Sequence, residues 1–431
     1  MCGLVGVVGT DDSAYEAFVA LMNLQHRGQD GAGILTVDTK RNQFNVLKGS
    51  GLVENIFSER TFRTLKGPAS IGHTRYATIG RRDPNLLQPF LDSDTGIAIA
   101  HNGNIVNCYE LREEILTVDP HAHFATESDS EVVLRLLTNA LKDTTPGVDS
   151  VFAAISASMA RLVGSYAIVG LVKDCSIFAF RDPNGVRPLF LGRKEGTAGG
   201  YAYAFASETV ALDYLEYTCL EEVQPGEAIY ITPNGQVTRR ILARDTYSPC
   251  MFEWVYFARV ESEMGGEAVY KARFNLGLIL AEEIKARGIE ADLILPVPET
   301  SRIAAIAMSE ALNTPFRELL IKNRYVNRTF ILDDQAARQE AIRRKLFPIT
   351  KEIVGKRCLV VDDSIVRGNT ALQIVKLIRQ AGAKEVTLVS TCPPIAHPCY
   401  YGIDFPTPSE LVANNRSEEQ IAAALGADRV V

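Results

Sequence analysis

CLVVDDSIVRGNT, residues 358–370, runs from an apolar strand into two adjacent acids, a short loop with one glycine, and the first residues of a helix. A helix N-terminus presents unpaired N–H groups and the positive end of the helix dipole, and together these hold a phosphate. Gly368 permits a tight turn ahead of the helix, and Thr370 adds a hydroxyl. Asp362 and Asp363 beside such a cradle suit ribose hydroxyls and a hard cation such as Mg²⁺. The segment is not a Walker loop, which needs a lysine before its final Ser/Thr and has no acids at its head.

The flanking sequence places this loop in a parallel sheet. KRCLVV, the loop, a helix over Ala371–Ala381, Gly382 and KEVTLVST form a strand–helix–strand unit. Upstream, Tyr270–Arg287 has the apolar spacing of a long helix ending at Gly288. ADLILPVP is a second continuous apolar strand, and Arg302–Leu312 a further helix. Continuous apolar strands alternating with helices predict an α/β domain over residues 246–431, its sheet covered on both faces. A basic, poorly periodic stretch, residues 322–347, reads as a mobile lid.

Residues 1–245 follow another pattern. SYAIVGLV, SIFAFRD and YAYAFASE are apolar or alternating runs of strand length, and Asn234-Gly235 in EAIYITPNGQVTRR marks a hairpin. Helices are predicted over Ala14–Leu24, Glu127–Leu141 and Val151–Leu162. Many strands with few helices predict layered α+β packing. The chain opens MCGLVGVVG, and Cys2 has two readings. It is a small hydrophobe in a core, or, once the methionine is trimmed, an N-terminal residue carrying both a thiol and a free amine.

At 431 residues the chain exceeds one ordinary core, which predicts two domains. A formal net charge of −7 argues against a nucleic-acid partner, which would need a basic face. No apolar run reaches the length of a membrane span. The eight cysteines are scattered without a C-x-x-C pair, as expected in a reducing cytoplasm.

CLVVDDSIVRGNT as a whole resembles the phosphoribosyl-pyrophosphate (PRPP) loop of the type I phosphoribosyltransferases. The resemblance implies that Asp362 and Asp363 position ribose and Mg²⁺. It also implies that Ser364, Val366, Arg367, Gly368, Asn369 and Thr370 hold the 5′-phosphate. Thr300, in VPETS at the end of the other apolar strand, becomes a further metal-site contact. Lys322, Arg324 and Tyr325, in KNRYVNRTF, would cover the pyrophosphate.

The first half matches a second pattern. Cys2, HRGQDGAG (26–33), HTRYAT (73–78), AHNGNI (100–105) and TESDSE (126–131) stand in the order found in N-terminal-nucleophile glutamine amidotransferases. That resemblance implies a four-layer αββα fold with Cys2 as nucleophile and Asn102 and Gly103 as oxyanion donors. It places Arg75 on the glutamine α-carboxylate and Asp129 on its α-ammonium, with Arg27 and Gly28 shaping the pocket. An unperturbed thiol titrates near about 8.5 and an α-amine near about 7.7–8.0, so the amine can serve as the thiol's base.

Together with RDPNGVRPL (181–189) and CMFEWVYFARVES (250–262), the two halves resemble the amidophosphoribosyltransferase family over nearly the whole chain. This implies the first committed step of purine biosynthesis: glutamine, PRPP and water give 5-phosphoribosylamine, glutamate and pyrophosphate. It further implies internal ammonia transfer, one Mg²⁺ per subunit, inhibition by purine nucleotides, and a homodimer or homotetramer. Some members carry a 4Fe–4S cluster on four cysteines. Cys250 and Cys399 lie where two would be, the later pair has no counterpart before Val431, and Cys358 and Cys392 read as strand residues. No cluster is therefore expected. Two other readings share part of the pattern. Hexosamine-forming amidotransferases would replace the PRPP loop with sugar-isomerase domains, and non-catalytic PRPP-sensing regulators would add a basic DNA-binding module.

Overall fold

The computed structural model describes residues 2–76, 83–119, 122–196, 200–323, 346–405 and 407–431. They form two compact units. The first holds Met1–Cys250, Glu261–Gly266 and Tyr400–Asp404; the second holds Met251–Val260, Glu267–Cys399 and Phe405–Val431. The expected division after residue 245 therefore shifts to Cys250. Ser248 and Cys250 donate their backbone N–H groups to Asn184 and Val186, which ties this segment to the first unit. The two shorter pieces join it through hydrogen bonds such as Ser262 to Glu208 and Asn104 to the Tyr400 carbonyl.

Two antiparallel sheets stack in the first unit. One has the strand order Thr218–Glu222, Phe190–Glu195, Tyr201–Ala206, Gly3–Val8, Ala69–Arg75, Gly31–Asp38, Gln43–Ser50. The other runs Val237–Ile241, Glu227–Ile231, Ile177–Arg181, Gly164–Val172, Ile97–Ile105, Phe90–Asp92. Alternation along each strand sorts its side chains between two cores. Ala98, Ala100, Ala167 and Val169 face the first sheet, meeting Leu4, Leu35 and Ile71. Ile97, Ile99, Tyr166 and Ile168 face the other way, onto helices Asp129–Ala140 and Val148–Met159. Helix Ser13–Asn23 covers the outer face of the first sheet with Ala17, Ala20 and Leu21. The sequence of layers is helix, sheet, sheet, helix. Gly6 allows the sheets to approach, since a Cβ there would lie 2.5 Å from Val169 Cγ1.

The hairpin at Asn234-Gly235 joins strands Glu227–Ile231 and Val237–Ile241, with Gly235 at φ +81°. Helix Cys108–Val118 was not legible in the sequence because it buries only Leu111 and Ile115.

The second unit is built on a parallel sheet ordered Leu293–Pro296, Arg357–Asp362, Glu385–Ser390, Arg429–Val430. Cys358, Val360, Val386 and Leu388 face Ile374, Val375 and Ile378 of helix Asn369–Gln380. Leu359, Val361 and Val389 face Ala281 and Ile284 of helix Val269–Ala286, and Ala304 and Met308 of helix Arg302–Leu312. Both faces are thus covered by helices. Of the expected lid, Lys322 lies in strand Leu320–Lys322, paired with Leu346–Pro348. Arg324 and Tyr325 fall outside the described residues.

Candidate active site

Strand Gly3–Val8 lies between Tyr201–Ala206 and Ala69–Arg75, with Gly3 opposite Thr74. This register sets Cys2 beside Arg75. Cys2 Sγ accepts a hydrogen bond from the Tyr76 N–H at 3.5 Å. The Cys2 backbone nitrogen donates to Asn102 Oδ1 at 3.1 Å, reaching across from strand Ile97–Ile105 of the other sheet. Asn102 is 1% exposed, and its Nδ2 has no hydrogen-bond partner among the described residues. A buried donor left unmatched costs about 1–3 kcal/mol, so this amide is free to take an acceptor.

Cys2, Arg75, Asn102, Gly103 and Asp129 line one cavity of about 480 Å³. Asp129 opens helix Asp129–Ala140; its Oδ2 accepts the Ile105 N–H at 3.1 Å and lies 3.7 Å from His101 Nδ1. Arg75 Nη1 donates to the Asp83 carbonyl at 3.3 Å. Two histidines that the sequence reading gave no role, His73 and His101, line the same cavity. Burial, reinforced by the Arg75 charge, pushes His73 down to about 3. Burial also lowers His101, against an opposing pull from Asp129. Burial thus leaves both rings less basic than an ordinary imidazole, His73 most of all. The signal was present, since both lie inside the quoted HTRYAT and AHNGNI motifs, but their burial depends on the stacking of two sheets.

Arg27 and Gly28 do not line the cavity. Arg27 is fully buried, and its Nε donates to the Cys2 carbonyl at 3.1 Å. Its Nη1 meets Glu208 Oε1 at 2.5 Å, and Ser262 Oγ donates to Glu208 Oε2 at 2.8 Å. Arg27 therefore ties the main chain of Cys2 to Glu208. A Cβ on Gly28 would lie 2.6 Å from the Arg75 carbonyl carbon, so this glycine permits the backbone approach that places Arg75.

The phosphoribosyl loop stands at the C-terminal end of strand Arg357–Asp362, where open parallel sheets bind ligands. The Asp362 carbonyl accepts the Thr391 N–H at 3.0 Å, and Thr391 Oγ1 donates to the Asp363 carbonyl at 3.0 Å. Asp363 receives hydrogen bonds from Thr300 Oγ1 and, at 2.7 Å, from Ser364 Oγ. Burial raises Asp362, and the neighbouring Asp363 charge raises it further. Burial likewise raises Asp363, opposed by the Thr300 and Ser364 hydrogen bonds and by Arg273. Gly368, at φ +76°, caps helix Asn369–Gln380, and a Cβ there would press on Leu425 and Val412. Asn369 and Thr370 are exposed at its first turn. The Val366 carbonyl accepts the Val412 N–H, Arg367 pairs with Glu410 at 2.6 Å, and Lys322 lies 4.0 Å from Glu299.

A glutamine amidotransferase domain is matched over residues 73–214 and a phosphoribosyl transferase domain over residues 271–404. The amidophosphoribosyltransferase of Pseudomonas aeruginosa is 43% identical, covering all of this chain and 87% of its own. That of Methanocaldococcus jannaschii is 41% identical, covering 100% and 92%. The chain belongs to the amidophosphoribosyltransferase family. The solved glutamine PRPP amidotransferase of Bacillus subtilis, complexed with ADP and GMP, superposes with a TM-score of 0.86 at 39% identity, covering 100% of this chain and 90% of that one. As an amidophosphoribosyltransferase the chain is a glutamine-dependent pentosyltransferase of purine biosynthesis. That settles the choice against a hexosamine-forming enzyme and against a non-catalytic PRPP sensor. Among the described residues no helix is long and apolar enough to cross a membrane.

Proposed function

We propose that Cys2, freed of its methionine, hydrolyses glutamine in the first unit and that the ammonia is consumed at Asp362–Thr370 in the second. The observation that carries the first half is Asn102, whose oxygen holds the Cys2 nitrogen while its buried Nδ2 has no partner among the described residues. The thiol proton passes to the Cys2 α-amine, and the sulfur attacks the carboxamide carbon. Asn102 Nδ2 and the Gly103 N–H take the charge that develops on oxygen, a contact worth about 3 kcal/mol per donor. Arg75 grips the α-carboxylate and Asp129 the α-ammonium. Ammonia leaves, and water releases glutamate from the thioester. Burial lowers the basicity of both histidines, His73 most of all, and this favours the amine as the thiol's base.

In the second unit Asp362 and Asp363 orient the ribose and favour positive charge on its C1 as pyrophosphate departs. The loop through Ser364, Val366, Arg367, Gly368, Asn369 and Thr370 holds the 5′-phosphate, with Lys322, Arg324 and Tyr325 assigned to the pyrophosphate. The donor set of Asp362, Asp363 and Thr300 is all oxygen, with two buried acids of raised pKa, and this fits a hard cation. Mg²⁺ bound there would neutralise the departing pyrophosphate. Purine mononucleotides should compete with PRPP, since a ribose 5-phosphate bearing a base can use the same phosphate and hydroxyl contacts. The nucleotide complex of the Bacillus subtilis relative supports this. We place the enzyme in the cytoplasm as a homodimer or homotetramer.

Supplying glutamine, PRPP and MgCl₂ should yield glutamate, pyrophosphate and 5-phosphoribosylamine in equal amounts. Glutamate without pyrophosphate would refute the coupled reaction.

A further inference from the structure

Tyr400–Asp404 (YYGID) lies in the first unit, although the sequence on either side of it lies in the second. Its main chain is held by side chains that surround Gly103. Asn104 Nδ2 donates to the Tyr400 carbonyl at 2.8 Å, and Ser165 Oγ donates to the Tyr401 carbonyl at 3.0 Å. Arg187, fully buried, also donates to the Tyr401 carbonyl. Asn104 and Ser165 face each other across the strand pair, one position beyond the Gly103–Tyr166 pair. Gly402 packs against Gly103 itself. It adopts φ +97°, and a Cβ there would lie 3.2 Å from both the Gly103 carbonyl oxygen and Arg187 Nη2. Gly402, Arg187 and Asn104 line the same cavity as Cys2.

A side chain at Gly402 would require both a strained backbone and displacement of the Gly103 peptide. Gly103 is itself packed against strand Gly164–Val172, since a Cβ on it would stand 1.9 Å from the Ser165 carbonyl oxygen. We propose that Tyr400–Gly402 is a positioning strap that fixes the Gly103 peptide for the oxyanion. This rests on the reading that Asn102 and Gly103 are the oxyanion donors. The strap acts through its carbonyls and one glycine rather than through a side-chain motif, so its effect falls on the transition state. An oxyanion is present only after attack, so loosening its donors lowers kcat and leaves glutamine KM in place.

The test is Gly402→Ala, assayed for glutamine hydrolysis and for synthesis from added ammonium salt. Glutaminase kcat should fall at least about tenfold, with glutamine KM and ammonia-dependent synthesis unchanged. Combined with Asn102→Ala, the loss should be smaller than the product of the two single losses, since both act on one oxyanion. An unchanged kcat, a change in KM alone, or multiplicative losses would overturn the strap. If Asn102→Ala alone kept full kcat, the oxyanion reading itself would fail. A crippled Asn102→Ala beside a normal Gly402→Ala would sink only the strap. Should Gly402→Ala not fold, Asn104→Ala removes one hold on the Tyr400 carbonyl and is judged by the same criteria.

Discussion

Around Cys2 the polar groups are pinned by sheet register and burial weakens the two histidines as bases, whereas at the end of strand Arg357–Asp362 the polar groups are paired acids on a loop. His73 is pushed down to about 3 by burial, so this ring adds no charge to a cavity lined by Arg75, Arg112, Arg187, Asp83, Glu127 and Asp129. Asp362 and Asp363 are pushed the other way, by burial and, for Asp362, by mutual repulsion. The lesson is that the two halves prepare for catalysis differently. On the proposed mechanism the amide-cleaving site works through hydrogen-bond donors that the two sheets position. On the same reading the phosphoribosyl site holds two buried acids whose charge a cation and ribose hydroxyls would relieve on binding.

If that contrast holds, charge removal should hurt one site alone. Asp362→Asn with Asp363→Asn should cut synthesis from glutamine or ammonia by about a thousandfold, while glutamine hydrolysis persists. Separate glutamate and pyrophosphate assays check this, and unaltered synthesis from ammonia would remove the acids from the mechanism. On the other side, Asn102→Ala should lower glutaminase kcat by about 10²–10³ and spare ammonia-dependent synthesis. Arg75→Lys keeps the charge but loses the bidentate fork, so glutamine KM should rise about tenfold with kcat less affected. Initial-rate kinetics in glutamine distinguish these two outcomes.

The smallest effect concerns stability. A carboxyl whose folded pKa lies above its unfolded value of about 3.9 holds its proton more tightly in the folded state. Its stabilising contribution is complete below the unfolded pKa and is lost as pH rises through the folded one. Asp362→Asn should therefore raise Tm by about 2–4 °C at pH 8 without PRPP or Mg²⁺. The gain should shrink towards pH 4. Scanning calorimetry across pH measures it, and a constant gain would show that the Asp362 charge carries no penalty.

The same contrast governs how much could be read from sequence. The phosphoribosyl loop is contiguous: strand, acids, Gly368 and helix start all lie within residues 358–370, and local rules suffice. The Cys2 site is assembled from strands far apart in the chain, so only the family resemblance brought its parts together. Arg27 shows the limit. HRGQDGAG does not say what its arginine pairs with, and Glu208, which meets it, is 181 residues away. The Tyr400–Gly402 strap left no sequence signal, because it works through backbone carbonyls and one positive-φ glycine.

The central claim is that thiol chemistry and phosphoribosyl transfer are separable within one chain. The most direct measurement compares Cys2→Ala with the unaltered enzyme, using glutamine in one arm and ammonium salt in the other. The account predicts that synthesis from glutamine falls at least about a thousandfold while synthesis from ammonia is retained. Loss of both activities in a folded variant, or survival of the glutamine-dependent reaction, would contradict it.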